Sequence, residues 1–230
     1  MNSYTKWIIF DGDNTLWMIE HLYDSARENL CKYLAALGVE YRAVENFQRC
    51  RDRDLYETYG YSACRFARSF EDTALEFFPE ISPKEMRHVR NLALEVFEHK
   101  ASVPEGLEQL LGELSLSYKL GIITAGEEWV QRRRLDHFEL TASFEAIEIV
   151  EAKNATIFNV FCEKYVVDKA NSWVIGDSLN SDITPAVQAG LNAMLYLASN
   201  WSPIEGSAST PPTGLITIDD LREIRNYLLI

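Results

Sequence analysis

Residues 7–17 read WIIFDGDNTLW, an apolar run that ends in two aspartates one residue apart. The run reads as a buried strand, and an ionised carboxylate at the end of such a strand is costly unless it is paired or holds a cation. Side chains at i and i+2 of a strand point to the same face. Asp11 and Asp13 are therefore expected side by side, repelling each other, with something positive belonging between them.

Further apolar runs with strand character follow at 119–123, 144–150, 173–175, 193–197 and 215–218, the first run spanning 6–10. Most are separated by helical patterns at 105–116, 128–138, 156–165 and 182–189, with Gly190 where a helix-terminating glycine is expected. Strands alternating with helices of this length imply right-handed βαβ units and a parallel sheet. The expected fold is α/β, a Rossmann-like parallel sheet in three α/β/α layers. One segment interrupts the alternation. Residues 19–100 hold no convincing strand, only amphipathic patterns at 20–37, 44–59, 63–78 and 83–99, punctuated by Gly38, Gly60 and the Pro79-to-Pro83 stretch. Two domains are expected: residues 1–18 with 101–230 as the α/β core, and 19–100 as an all-helical insertion after the first strand. An excursion of that size with structure of its own is usually a functional lid. Residues 202–214, rich in Ser, Pro and Thr, read as a surface loop.

In open α/β sheets, ligands bind outside the carboxyl ends of the strands. The polar residues expected there are Asp11, Asp13 and Thr15 after the first strand, and Thr124, Ala125 and Gly126 after the second. Lys153 follows the third strand. Gly176, Asp177 and Ser178 follow the fourth, with Asp182 five residues beyond Asp177. Carboxylates, a hydroxyl and an ammonium thus converge.

In these motifs the chain resembles the haloacid dehalogenase superfamily of phosphohydrolases, over essentially its whole length. DGDNT matches that family's D-x-D-x-T, IITAG its strand ending in Thr or Ser, Lys153 its third motif and GDSLNSD its acidic fourth motif. The insertion resembles the family's helical cap of the first type. The resemblance implies that Asp11 attacks phosphorus to form an aspartyl-phosphate and that Asp13 is the general acid and base. It implies that Asp11, Asp177 and the backbone carbonyl of Asp13 hold Mg²⁺, with Asp182 in support. Thr124 and the backbone that follows it at Ala125 and Gly126, together with Lys153, would bind the phosphoryl group. Thr15 and Ser178 are supporting candidates; Ser178 is equally readable as a capping hydroxyl, and Asp182 is in part readable as a helix cap. The chain departs from the pattern twice: Ala125 stands where many members carry Asn, and no proline follows Lys153.

The expected activity is Mg²⁺-dependent hydrolysis of a small phosphomonoester, with a phosphomutase of the same superfamily as the alternative within the fold. A phosphoaspartate signalling switch would need neither a second acid beside the nucleophile nor an inserted helical domain. A hydrolytic dehalogenase would need neither Asp13 nor a metal.

Composition narrows the partners. A net charge of −13 over 230 residues argues against nucleic acid, whose phosphate backbone is bound mainly by Lys and Arg, while a metal ion can reverse the local field for a small phosphorylated metabolite. No apolar run approaches the ~18 residues of a membrane helix, and no signal peptide is expected at the N-terminus. Cys31, Cys50, Cys64 and Cys162 have no metal-ligand spacing and read as reduced packing residues of a cytoplasmic protein. His21, His88, His99 and His137 sit in no ligand-like spacing. Arg49, Arg51 and Arg53, and likewise Arg132, Arg133 and Arg134, read as solvated helix faces, with Arg51, Arg65 or Arg68 as candidates to reach a leaving group. Trp17 reads as a packing residue where the chain enters the insertion. Nothing in the sequence fixes the oligomeric state or the substrate.

Overall fold

A computed structural model describes residues 5–197 and 214–229. Almost all of the 202–214 stretch lies outside them. The chain divides into two compact units, Met1–Met18 with Ser102–Ile230, and Ile19–Ala101.

Among the described residues the first unit carries six strands, β1 (Trp7–Phe10), β2 (Lys119–Ala125), β3 (Ala146–Val150), β4 (Trp173–Gly176), β5 (Asn192–Tyr196) and β6 (Ile216–Ile218), in the order β3-β2-β1-β4-β5-β6. Every neighbouring pair is parallel, so the expected α/β class and parallel sheet are observed. β1 pairs with β2 from Trp7↔Lys119 to Phe10↔Ile122 and with β4 from Ile8↔Trp173 to Phe10↔Ile175. All four β1 residues are buried, because a central parallel strand is covered on both faces and so reads as a continuous apolar run. Trp7 and Ile9 pack into a cluster with Phe158, Phe161, Ile183 and Ala186. Ile8 and Phe10 point the other way, where Phe10 meets the ring of Phe144 edge-on at 6.1 Å. The chain leaves β1 toward one edge of the sheet and returns to β4 on its other side, which makes the carboxyl ends of β1 and β4 the switch point at which such sheets bind ligands.

The sheet's helices include α6 (Leu107–Leu114), α7 (Glu128–His137), α8 (Ala155–Tyr165), α9 (Thr184–Gln188) and α10 (Arg225–Leu228). The expected helix at 182–189 is two elements. A π-helical turn spans Leu179–Ile183 before α9 begins, with the Ser178 carbonyl accepting from the N–H groups of both Asp182 and Ile183. Single π turns of this kind often mark functional sites. α10 and the short 3-10 turn before it, Leu221–Ile224, were not anticipated, although Asp220 and Glu223 form the reciprocal capping box that announces a helix start.

The second unit is all-helical: α1 (Glu20–Ala36), α2 (Tyr41–Asp54), α3 (Tyr56–Tyr59), α4 (Ala63–Phe77) and α5 (Pro83–Leu94). The single helix expected at 44–59 begins earlier, because the Glu40 carboxylate caps the N–H groups of Arg42 and Ala43. It is also broken at Leu55, whose carbonyl takes the N–H groups of both Thr58 and Tyr59. Leu30, Leu34, Phe66, Phe70 and Val89 are fully buried. A polar chain runs through this unit, from the Arg27 guanidinium to Gln48 and on to Ser69, which donates to the Phe66 carbonyl. The three arginines considered for a leaving group are paired inside the unit: Arg51 and Arg68 with Asp72, and Arg65 with Asp52 and the Gly60 carbonyl. All four cysteines are unpaired. Cys31 and Cys162 are buried, but Cys50 and Cys64 are exposed and are not packing residues. Among the described residues no helix is long and apolar enough to cross a membrane.

Candidate active site

β1 stops at Phe10, and the chain turns immediately. The Asp11 N–H still donates to the Ile175 carbonyl of β4 at 2.8 Å, which anchors Asp11 at the strand end. The Gly12 carbonyl then accepts from the N–H groups of Thr15, Leu16 and Trp17, and Asn14 takes a left-handed backbone at φ 60°. Asparagine is one of the few residues that visits that region readily. A Cβ on Gly12 would lie 2.3 Å from the Trp17 ring and 2.8 Å from the Thr124 hydroxyl, so only glycine allows this turn to close over Thr124.

Two groups of side chains meet around the turn. In the first, the Lys153 ammonium, its side chain 3 % exposed, pairs with Asp11 and, at 2.6 Å, with Asp182. Asp177 joins them: one carboxylate oxygen each from Asp11, Asp177 and Asp182 lie within 4.8 Å of one another. The π turn delivers Asp182 to this place, and its second oxygen accepts from the Ser178 N–H at 3.0 Å. Three carboxylates share one ammonium, and the protonation balance registers the surplus. Burial lifts the Asp11 carboxyl to about 7, with Lys153 pulling the other way and Asp182 adding to the rise. Burial, then the charges of Asp11 and Asp182, hold Asp177 well above the usual carboxylate range. Burial disfavours the Lys153 ammonium, but Asp11 and Asp182 outweigh it and the group is raised.

Asp13 has a different set of partners. Its Oδ1 accepts from the Trp17 indole at 2.6 Å and lies 3.1 Å from Arg134 Nε. Its Oδ2 accepts from Gln131 Nε2 at 3.0 Å. The other end of that amide accepts from the buried Thr124 hydroxyl at 2.9 Å, and Nε2 also lies 3.2 Å from the Ala125 carbonyl. Asp13 is close enough to contribute to the upward shift of Asp11.

Three sequence candidates stand outside these groups. Thr15 is fully buried, and its hydroxyl has no hydrogen-bond partner among the described residues. The Ser178 hydroxyl caps the π turn through the Ser181 N–H. The Gly126 N–H donates to the Val150 carbonyl, so that amide is engaged in the sheet.

One participant, Gln131, escapes the sequence reading, and another, Arg134, is misplaced by it. Of the three arginines expected on a solvated face, Arg132 is exposed and paired with Glu128, but Arg134 is not on that face. Arg134 is 7 % exposed, because Val130, Arg134 and Phe138 recur at i, i+4 and i+8 and all three are buried. That spacing was the available signal. Trp17 packs against Phe138 at 5.1 Å between ring centroids, as a packing residue should, and also donates to Asp13.

One glycine here carries a testable consequence. A Cβ on Gly176 would lie 2.4 Å from the Asp182 carboxyl carbon. Gly176→Ala should therefore displace Asp182 from Lys153 and destabilise the fold by about 1–3 kcal/mol, the usual cost of overpacking. A shift of the urea midpoint at constant slope measures it.

The fold and the cluster together define a class of α/β proteins whose central parallel sheet gathers carboxylates and a lysine at the carboxyl ends of its strands. Residues 8–196 match the family described as haloacid dehalogenase-like hydrolase, and the chain belongs to that family. Among curated proteins it is 25 % identical over 231 residues to pyrimidine 5′-nucleotidase YjjG of Escherichia coli, covering 96 % of this chain and 97 % of that protein. Among solved structures, a haloacid dehalogenase-like hydrolase from Xanthomonas campestris superposes with a TM-score of 0.79 at 20 % identity, covering 98 % of this chain and 91 % of the other. A 2-haloacid dehalogenase from Pseudomonas syringae superposes with a TM-score of 0.63 at 21 % identity, covering 98 % of each chain.

Proposed function

We propose that this hydrolase is a phosphatase that cleaves a small phosphomonoester through an aspartyl-phosphate on Asp11. The observation that carries the reading is the position of Lys153, which grips Asp11 and Asp182 within a pocket that also holds Asp177. A dianionic substrate cannot approach three carboxylates unless their charge is offset. The donor set, hard oxygens from carboxylates and one backbone carbonyl, fits Mg²⁺. Asp11, Asp177 and the Asp13 carbonyl would hold the ion, with Asp182 in support. When bound, it would supply the positive charge that lets a phosphate dianion enter.

The chain's own residues then have distinct tasks. An Asp11 oxygen attacks phosphorus as the bond to the leaving oxygen breaks, and Asp13 gives that oxygen its proton. Asp13 next takes a proton from a water that attacks the same phosphorus, which releases orthophosphate and restores the Asp11 carboxylate. Lys153 fixes the angle of Asp11 and faces the phosphoryl charge, while Asp182 fixes Lys153. Dividing the reaction in two replaces one difficult displacement by two easier ones. Retention of Asp13 beside the nucleophile separates this reading from dehalogenation, which needs no proton donor there. The helical unit follows the Asp11-to-Trp17 loop directly in sequence.

The similarity to a pyrimidine 5′-nucleotidase puts nucleoside monophosphates first in a phosphomonoester panel, ahead of sugar phosphates and phosphorylated acids. Turnover of the best substrate should fall about 100-fold or more in chelator and return on addition of Mg²⁺, the several kcal/mol that such charge stabilisation supplies. Undiminished turnover in chelator would remove the metal from the reading. Transfer of the phosphoryl group to a second position of the substrate, with no orthophosphate released, would make the protein a mutase.

A further inference from the structure

The Gln131 amide can be oriented in only one way by its neighbours. The Asp13 carboxylate and the Ala125 carbonyl are both acceptors, so the amide nitrogen must face them, at 3.0 and 3.2 Å. That leaves Oε1 for the Thr124 hydroxyl, which donates to it at 2.9 Å. Gln131 is itself buried, 2 % exposed, and it sits on α7, the helix that follows the Thr124 strand end. One side chain thus joins the residue assigned to proton transfer with the residue assigned to phosphate binding, through hydrogen bonds that cannot be exchanged without turning the amide over.

We propose that Gln131 is a positioning residue that aims the Asp13 carboxyl at the leaving-group oxygen and couples its orientation to Thr124. The inference rests on the phosphatase reading and adds a residue to it. The Trp17 indole and Arg134 both bear on Oδ1 of Asp13, whereas Gln131 bears on Oδ2. Contacts to Oδ1 alone leave the carboxyl free to rotate about its bond to the chain. A donor on each oxygen fixes the plane of the group, and proton transfer in the transition state depends on that plane.

The test compares kcat/KM for two kinds of phosphomonoester. 2,4-Dinitrophenolate departs without a proton, while an alkoxide requires one, so the ratio of the two reports proton donation specifically. Gln131→Met keeps the length of the side chain and removes both polar ends. Gln131→Glu keeps an acceptor for Thr124 and turns a second acceptor toward Asp13. Both variants should lose about 10- to 100-fold in kcat/KM on an alkyl phosphate, the scale of a misplaced acid, and only a few-fold on 2,4-dinitrophenyl phosphate. Asp13→Asn, measured alongside, should show the same selectivity with a larger loss. If Asp13→Asn is selective but both Gln131 variants lower the two substrates equally, or lower neither, Gln131 does not position the acid and the proposal is overturned while the phosphatase reading stands. If Asp13→Asn shows no selectivity, the acid role of Asp13 falls and takes the proposal with it.

Discussion

Asp11→Asn should reduce turnover of an aryl phosphate by roughly 10⁴-fold or more, the loss typical of removing a nucleophile from a covalent mechanism, without unfolding the protein. The substitution is isosteric and leaves the backbone anchor untouched, since the Asp11 N–H donates to Ile175 whatever the side chain. It also removes a buried negative charge from a cluster in which Asp11 and Asp177 are both held above the usual carboxylate range, first by burial and then by neighbouring charge, so in chelator the variant should be no less stable than the parent. A carboxamide oxygen accepts a hydrogen bond from Lys153 but is too weak a nucleophile toward phosphorus. Thermal denaturation in chelator and initial rates with Mg²⁺ check the two halves. Substantial Mg²⁺-dependent turnover in the variant would remove Asp11 from the chemistry.

The second large effect belongs to Lys153. Lys153→Met retains the apolar stem but takes the ammonium out of contact with Asp11 and Asp182, both nearly buried. Breaking a buried ion pair from one side leaves uncompensated charge, at a cost of about 3–5 kcal/mol. Here part of that cost is relieved by a bound cation, because the pocket becomes more negative. The expected pattern has opposite signs: lower stability in chelator, a larger stabilising increment on adding Mg²⁺ than the parent shows, and turnover reduced by about 10²–10³-fold for want of the group facing the phosphoryl charge. Denaturation with and without Mg²⁺, together with steady-state rates, measures all three. Equal stability in chelator and undiminished rates would mean that the lysine is incidental.

The architecture was legible because its central strands are extreme. WIIF and GII have little polar content and can lie only between two layers of helices, and the order of apolar runs and helical patterns then dictates a parallel sheet. Asp11, Lys153, Asp177 and Asp182 were legible as a group because each follows such a run, and strand ends of a parallel sheet converge. What surrounds Asp13 was hidden for an equally physical reason. QRRR, residues 131–134, reads as a charged surface when taken as a run, and only its helical phase against Val130 and Phe138 reveals that Arg134 faces inward. Gln131 carries no charge and no motif; its importance comes from lying within reach of Thr124 and Asp13, residues 7 and 118 positions away. The π turn at Leu179–Ile183 was equally invisible, since helical periodicity does not distinguish a 3.6-residue turn from a wider one over five residues.

The most direct test of the account is to look for the bond it requires. Protein mixed with an aryl phosphate and Mg²⁺, quenched in acid within a turnover and digested, should yield the peptide bearing Asp11 heavier by one phosphoryl group. The label should disappear when turnover is allowed to finish. Full turnover with no phosphorylated peptide at any quench time, or with the phosphoryl group on a different residue, would contradict it.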